Sequence, residues 1–403
     1  MNEEIKKRLE QIRRGELPDG YRRTKKGIVP ENWSDCRIET FCNMKSGNGI
    51  TSASIYPTGA FPCYGGNGLR GYTDTFTHSG RYVLIGRQGA LCGNVLLVDG
   101  RFYASEHAVV TECNKLASIE FCYHMLRYMN LNRYSEASAQ PGLSVQKILR
   151  LPVAIPPLTE QQRIAKILSA QDSVIELKER LVTEKLRQKK YLMQQLLSGK
   201  QRLPGFHGRW NAHSLCDITE RRTTRNIAQC DRVLTISGQY GLIEQWSFFD
   251  KTVASADKSN YFFLERDDFA YNKSRSTGYP FGAIKRLKKY DTGIVSPLYI
   301  CFRISSQLVT AEYMEHYFEA NLINQEIKFI AQEGARNHGL LNIGVDDFFN
   351  LKVYLPPVDE QMAIADILSA ADREIELLRA SLEQEKRKKK ALSQLLLTGI
   401  VRV

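Results

Sequence analysis

No stretch of this 403-residue chain is apolar for the roughly 18 residues that a bilayer-spanning helix needs, so a helical membrane span is excluded. An apolar signal-peptide core is missing as well, because the segment MNEEIKKRLEQIRRG is charged throughout. Cysteine pairs at C-x-x-C spacing are absent. The nine cysteines (Cys36, Cys42, Cys63, Cys92, Cys113, Cys122, Cys216, Cys230 and Cys301) are odd in number and show no disulfide-like clustering along the sequence. The expectation is a cytoplasmic protein with reduced, mostly buried thiols and no membrane partner.

Catalytic motifs are missing too. There is no GxxxxGK[ST] phosphate loop, no HExxH, no zinc-type histidine spacing among the seven histidines and no carboxylate-plus-lysine nuclease cluster. Gly66, Gly68 and Gly71 have G-x-G-x-x-G spacing, but YTDTFTHSGRYVLIG follows, which reads as turn and strand. A dinucleotide or S-adenosylmethionine fingerprint needs a helix there, so that the bound group meets a helix N-terminus. An amino-methyltransferase motif needs a polar residue before two prolines and an aromatic after them. Ile155-Pro156-Pro157-Leu158 and Leu355-Pro356-Pro357-Val358 have neither. The chain therefore reads as a binding protein, not an enzyme, with no metal and no cofactor of its own.

What is present is charge and repetition. Lys and Arg number 56 against 44 Asp and Glu, a net charge of +12. That excess points to a polyanionic partner, nucleic acid by default. The length calls for two or three domains. Residues 156–200 and 356–400 align without a gap at an offset of 200, with close to half the positions identical. Each copy reads as a helix. The paired prolines end a strand and cannot sit inside a helix. Thr159 and Asp359 suit the N-cap, and Gly199 and Gly399 suit the C-terminal stop.

Apolar residues recur at steps of three and four: Ile164, Leu168, Ile175 and Val182 in the first copy, Ile364, Leu368, Ile375 and Leu382 in the second. A narrow seam with charged flanks is the pattern of a coiled coil. Two matching seams in one chain are most economically paired with each other; packing on a globular domain or homodimerisation remain the alternatives. The basic run Lys386–Lys390, and Arg187, Lys189 and Lys190 at the matching place, read as a solvated helix face or as phosphate contacts.

A strand- and turn-rich globule precedes each helix. Both begin near a tryptophan, Trp33 and Trp210, and end in similar segments, GLSVQKILRLPVAIPP and GLLNIGVDDFFNLKVYLPP. Short helices are predicted at 118–131 and 311–330. LEQIRRGELPDG, near residues 9–20, echoes MQQLLSGKQRLPGF at 193–206, like the tail of another helical copy. The plan is α+β: globule, helix, globule, helix, with the chain ends meeting in a closed, pseudo-twofold circle. The segments are 1–30, 31–158, 159–200, 201–358 and 359–403.

Candidate DNA-binding residues sit in turn-rich clusters of the globules. They are Tyr64, Asn67, Arg87, Gln88 and Asn94 in the first, and Asn272, Lys273, Arg275, Ser276 and Arg336 in the second. Arg and Lys pair with guanine, and Asn and Gln with adenine, in the major groove, while Ser and backbone amides hold phosphates. For any one of them a turn role is equally open.

The double PP-x-x-EQ-x-x-I-A-x-I-L-S-A…D helix, each copy after a variable domain, resembles the specificity subunit of type I restriction–modification systems. DDFAYNKSRSTGYPFGAIKRLKKYDTGIVSPLYICF (267–302) is similar to one class of target-recognition domain in that family. CYGGNGLRGY…YVLIGRQGALCGNV…FYASEHAVV (63–110) is similar to another.

The resemblance implies two strand-rich target-recognition domains, each reading one half of a bipartite site in double-stranded DNA. It implies that the two helices pair antiparallel as a ruler and dock two modification subunits that methylate adenine N6. Restriction subunits, which are ATP-driven translocases with a nuclease, can join them. S-adenosylmethionine, ATP and Mg are then cofactors of the partners. Two other hypotheses stand beside it: a lone methyltransferase or nuclease, and a coiled-coil adaptor whose globules bind protein.

Overall fold

The computed structural model describes residues 3–24, 27–89, 91–135, 142–227, 229–238, 240–246, 257–333 and 339–403. The chain forms two compact units. The first is Met1–Glu179 with Ala380–Val403, and the second is Arg180–Arg379.

In the first unit six strands make one sheet: β1 (Cys42–Ser46), β2 (Phe61–Gly65), β3 (Gly68–Thr73), β4 (His78–Gly86), β5 (Val95–Ala104) and β6 (Ala108–Cys113), in the order β1-β6-β4-β5-β2-β3. Its pairs are antiparallel except β2 with β5. Side chains alternate across a strand, so a central strand buried on both faces reads as a continuous apolar run. Val83-Leu84-Ile85 is that run. Val83 and Ile85 face a core that holds Phe41, Phe121 and Leu126, and Leu84 faces a smaller one with Val98 and Phe102. Phe121 and Leu126 come from a helix at Ile119–Tyr128, whose N-cap Ser118 accepts from the Phe121 amide.

The second unit repeats the principle with other residues. Four antiparallel strands, β7 (Thr219–Arg221), β8 (Phe269–Asn272), β9 (Ala283–Arg286) and β10 (Ile300–Ile304), run in the order β7-β10-β8-β9. Phe269 and Phe302 stack at 5.4 Å on the face covered by the helix Ala311–Glu319. The other face carries Ala270 and Cys301 against Leu264 and Val295. The single helix expected at 311–330 is two, Ala311–Glu319 and Asn324–Ile330. Asn321 between them has φ 58, a left-handed conformation that interrupts the helix.

The similar ends of the two globules have a common cause. In each unit the strand near the tryptophan pairs with the strand before the prolines: Ser34–Arg37 with Pro152–Ile155, and Asn211–Ser214 with Lys352–Leu355.

The repeats form two long helices, Leu158–Leu196 and Val358–Leu397, of 39 and 40 residues. At about 1.5 Å per residue each is about 60 Å long. Their starts differ from expectation. Thr159 and Asp359 lie inside the first turn instead of capping it. Pro157 precedes the first helix, and its carbonyl accepts from the amides of Glu160 and Gln161, both at 3.0 Å. The stops are as read: Gly199 and Gly399 have φ 69 and 74, which a residue without Cβ adopts freely.

Each unit holds one segment of each long helix. In the first, Gln171 donates to the Glu385 carboxylate at 2.8 Å, Lys178 bonds Ser381 at 2.7 Å and Lys386 pairs with Glu179 at 3.0 Å. Lys389 bonds Asp172. In the second, Lys185 pairs with Glu374 at 2.7 Å and Lys189 with Asp372 at 2.5 Å. From Asp172–Lys389 to Lys178–Ser381 in the first unit, and from Lys185–Glu374 to Lys189–Asp372 in the second, one number rises as the other falls, the register of antiparallel neighbours. The basic run is therefore partly consumed: Lys386 and Lys389 face carboxylates of the other helix.

The apolar seam is also divided. Ile164 and Leu168 are buried in the first unit's core with Trp33 and Leu396, and Ile364 and Leu368 in the second's with Met193 and Leu196. The start of each helix thus packs on a globule as well as beside the other helix. Nearer the middle, Val182, Ile375 and Leu382 are buried and Ile175 is half-buried.

Candidate nucleic-acid interface

In the first unit β2 and β3 form a hairpin, with Gly65 opposite Gly68 and a tight turn at Gly66-Asn67. The chain after β4 passes directly beneath that turn. A Cβ on Gly86 would stand 2.0 Å from the Gly66 carbonyl oxygen, and one on Gly66 would stand 3.0 Å from the Gln88 carbonyl oxygen. Only glycine permits this approach. It brings the Asn67 turn beside Arg87-Gln88. Asn94 joins them, since its carbonyl accepts from the Gly86 amide at 2.9 Å.

Asn67, Gln88 and Asn94 are exposed, and Arg87 is half-buried. The Arg87 guanidinium donates to Ser46 Oγ at 3.1 Å, and its backbone carbonyl holds the Leu143 amide at 2.9 Å. Ser46, Arg87, Gln88, Gly142, Ser144 and Gln146 line a cleft of about 550 Å³. Its polar side chains are the kinds that pair with base edges and phosphates. Tyr64 stands apart from this set. Its ring meets Phe102 edge-on at 5.9 Å, and burial raises its hydroxyl above the usual value. The tyrosine packs the sheet's second face.

In the second unit the residues after β8 are shaped by their own backbone. The Asn272 side-chain Oδ1 accepts from the Ser274 amide at 3.0 Å, the local turn that asparagine favours. The Lys273 carbonyl accepts from Leu341 at 3.1 Å, and the Arg275 amide donates to Gly339 at 2.8 Å. Ser276 and Tyr279 exchange backbone bonds. Arg275 and Ser276 are exposed, while Asn272 and Lys273 are half-buried. Arg336 lies outside the described residues.

Three other cations of this unit are engaged with carboxylates. Lys285 bonds both Tyr279 and Glu319. Arg286 pairs with Glu312 at 2.8 Å and with Asp267, and Lys288 with Glu315 at 3.1 Å. Burial, and then the Glu319 charge, raise the Tyr279 hydroxyl well above its ordinary value. This network braces β9 against the helix Ala311–Glu319.

A family model of the type I restriction modification DNA specificity domain matches residues 30–186 and 255–386, the larger part of both units. The chain belongs to this family. Its specificity-domain relatives include the type I restriction enzyme EcoprrI specificity subunit of Escherichia coli, 45% identical over 135 residues. That match covers 32% of this chain and 34% of the relative, so it spans about a third of each. The MjaVIII specificity subunit of Methanocaldococcus jannaschii is 22% identical over 412 residues, 93% of this chain and 94% of that protein. In fold, the chain is similar to a type I restriction–modification S subunit from M. genitalium, with TM-score 0.62 and 16% identity over 91% of this chain and 96% of that one.

Some residues of this cleft had no signal in the sequence. Ser46 is 41 positions from Arg87 and reaches it only because β1 and β4 both pair with β6. Gln146 lines the same cleft from a short helix at Val145–Leu149. Among the described residues no helix is long and apolar enough to cross a membrane.

Proposed function

We propose that this chain is the sequence-specific DNA-binding subunit of a type I restriction–modification complex and that it is not itself an enzyme. Each unit reads one half of a bipartite site, and the two long helices fix the gap between the halves. The helices also dock two modification subunits that methylate adenine N6; restriction subunits can join. S-adenosylmethionine, ATP and Mg belong to those partners. The observation that carries the reading is the family match across two globules whose loops differ while their helices repeat. The exposed Asn67, Gln88 and Asn94 beside Arg87 support a reader in the first unit, and the Asn272–Ser276 turn supports one in the second.

The net charge of +12 supports a polyanion as partner. Neutralising phosphates releases counterions, so affinity for random duplex should fall steeply with salt, by a log–log slope of about −0.9 per phosphate contacted. Binding measured between 50 and 200 mM salt tests this. A flat dependence would favour a protein-binding adaptor, and methyl transfer by the purified chain alone would favour an enzyme. Mapping methylated adenines in the source genome then gives the site.

A further inference from the structure

Three cysteines far apart in the sequence meet at one edge of the first unit's sheet. Cys42 and Cys113 are direct cross-strand partners on β1 and β6. Cys122 comes from the helix Ile119–Tyr128, which packs over them. The Cys42 sulfur lies 3.5 Å from that of Cys113 and 3.3 Å from that of Cys122. All three sulfurs lie within 4.8 Å of one another. Cys42 and Cys122 are buried and Cys113 is partly exposed. Among the described residues this is the only such group of three metal-ligating side chains.

We propose that Cys42, Cys113 and Cys122 form a binding site for a thiophilic divalent cation of zinc's size. Three sulfurs each about 2.3 Å from a zinc ion at tetrahedral angles stand about 3.8 Å apart. The separations from the Cys42 sulfur, 3.5 and 3.3 Å, lie within about 0.5 Å of that span, and the third pair lies within 4.8 Å. An all-sulfur donor set selects soft ions and rejects Mg and Ca. Three protein ligands leave a fourth position, which water can fill beside the partly exposed Cys113.

Binding replaces thiol protons with the metal, so it tightens as pH rises. The ligands come from two strands and a helix, so the ion clamps the helix to the sheet edge. None of the three cysteines lines the cleft beside Arg87, so the site does not depend on what the globule reads.

The test uses the full chain, reduced and stripped with a chelator, titrated with Co(II) as a spectroscopic probe and then with Zn(II). One equivalent should bind, with a thiolate-to-cobalt charge-transfer band that Zn(II) abolishes. Cys113→Ser should weaken binding by more than the roughly 10–100-fold typical of losing an outer-shell partner. Cys216→Ser, at an exposed cysteine of the other unit, should leave it unchanged. Should Cys113→Ser fail to fold, the unmodified chain still decides. Zn(II) should slow alkylation of Cys113 and not of Cys216. Absence of the charge-transfer band, equal rates at Cys113 with and without Zn(II), or undiminished binding by folded Cys113→Ser would each overturn the proposal.

Discussion

Arg402 holds the Glu160 carboxylate in a two-point grip, Nε to Oε1 at 2.6 Å and Nη2 to Oε2 at 2.8 Å. The Trp33 indole donates to the same carboxylate at 3.3 Å. In the other unit Arg202 grips Glu360 at 2.6 Å on both oxygens, with Trp210 at 3.3 Å. An arginine just past the end of one long helix thus meets a glutamate in the first turn of the other. The helix N-terminus favours that carboxylate, and the planar guanidinium matches it. In the first unit Tyr21 donates to the Gly399 carbonyl at 2.7 Å and Arg8 to Ile400 at 2.8 Å, so the N-terminal segment lies against the same tail.

Arg402→Ala leaves Glu160 buried with only an indole partner. Breaking a fully buried pair costs about 3–5 kcal/mol. The Arg402 side chain is 36% exposed, so solvent screening reduces the expected loss to about 2 kcal/mol. Urea unfolding of the first unit should show it. Arg402→Lys should recover only part, because an ammonium cannot bond both oxygens in one plane. An unchanged midpoint for Arg402→Ala would remove the pair from the account.

The helices were legible because their signals are local: a repeat of 45 residues, paired prolines before it and a glycine after it. What those helices touch was not. Lys389 read as part of a solvated face or as a phosphate contact, and only the fold places Asp172 beside it. Ile164 read as a seam residue, and only the globule's packing sets it beside Trp33. The Arg87–Ser46 bond and the meeting of Cys42 with Cys113 depend on strand register, which no spacing in the sequence encodes. Asn67 and Gln88 were visible as turn residues, but their adjacency rests on the contact of Gly66 with Gly86.

That contact is testable. Gly86→Ala drives a methyl into the Gly66 carbonyl, with backbone on both sides and nothing flexible to yield. Overpacking of this kind costs about 1–3 kcal/mol. Gly89→Ala is the informative comparison at an unobstructed position, although its φ of 89 adds backbone strain. Thermal unfolding should rank Gly86→Ala as the more harmful; the reverse order would contradict the close approach.

Two buried histidines make stability depend on pH. His124 lies 3.0 Å from Ser169 Oγ and His316 lies 3.0 Å from Ser369 Oγ. Burial lowers both to about 4, outweighing the carboxylates of Asp172 and Asp372 at 3.9 Å. Lys389 and Arg127 near His124, and Lys189 and Lys288 near His316, act in the same direction as burial. Unfolded histidine takes a proton near pH 6.5. The neutral folded forms therefore stabilise fully above that pH, and the contribution drains away as pH falls toward about 4. Equilibrium unfolding at stepped pH should show up to about two extra protons bound on unfolding in this window. His124→Gln with His316→Gln should flatten the slope, and an unaltered slope would refute the assignment.

Lys273→Ala and Arg275→Ala should each weaken DNA binding far more than Arg180→Ala on the long helix. A lost phosphate contact should also reduce the salt slope by about one. Equal effects in a fluorescence-anisotropy titration would remove the Asn272–Ser276 turn from the interface.

The central claim is that two unlike readers are held a set distance apart, and the gap between half-sites tests it most directly. Once the methylated sequence is known, the complex is titrated with duplexes whose gap is native, one base pair shorter or one base pair longer. Joining two readers multiplies affinity only when both engage, by about 10²–10⁴. A loss of at least about 10²-fold for either altered gap is the predicted result; equal affinity across the three duplexes would contradict the account.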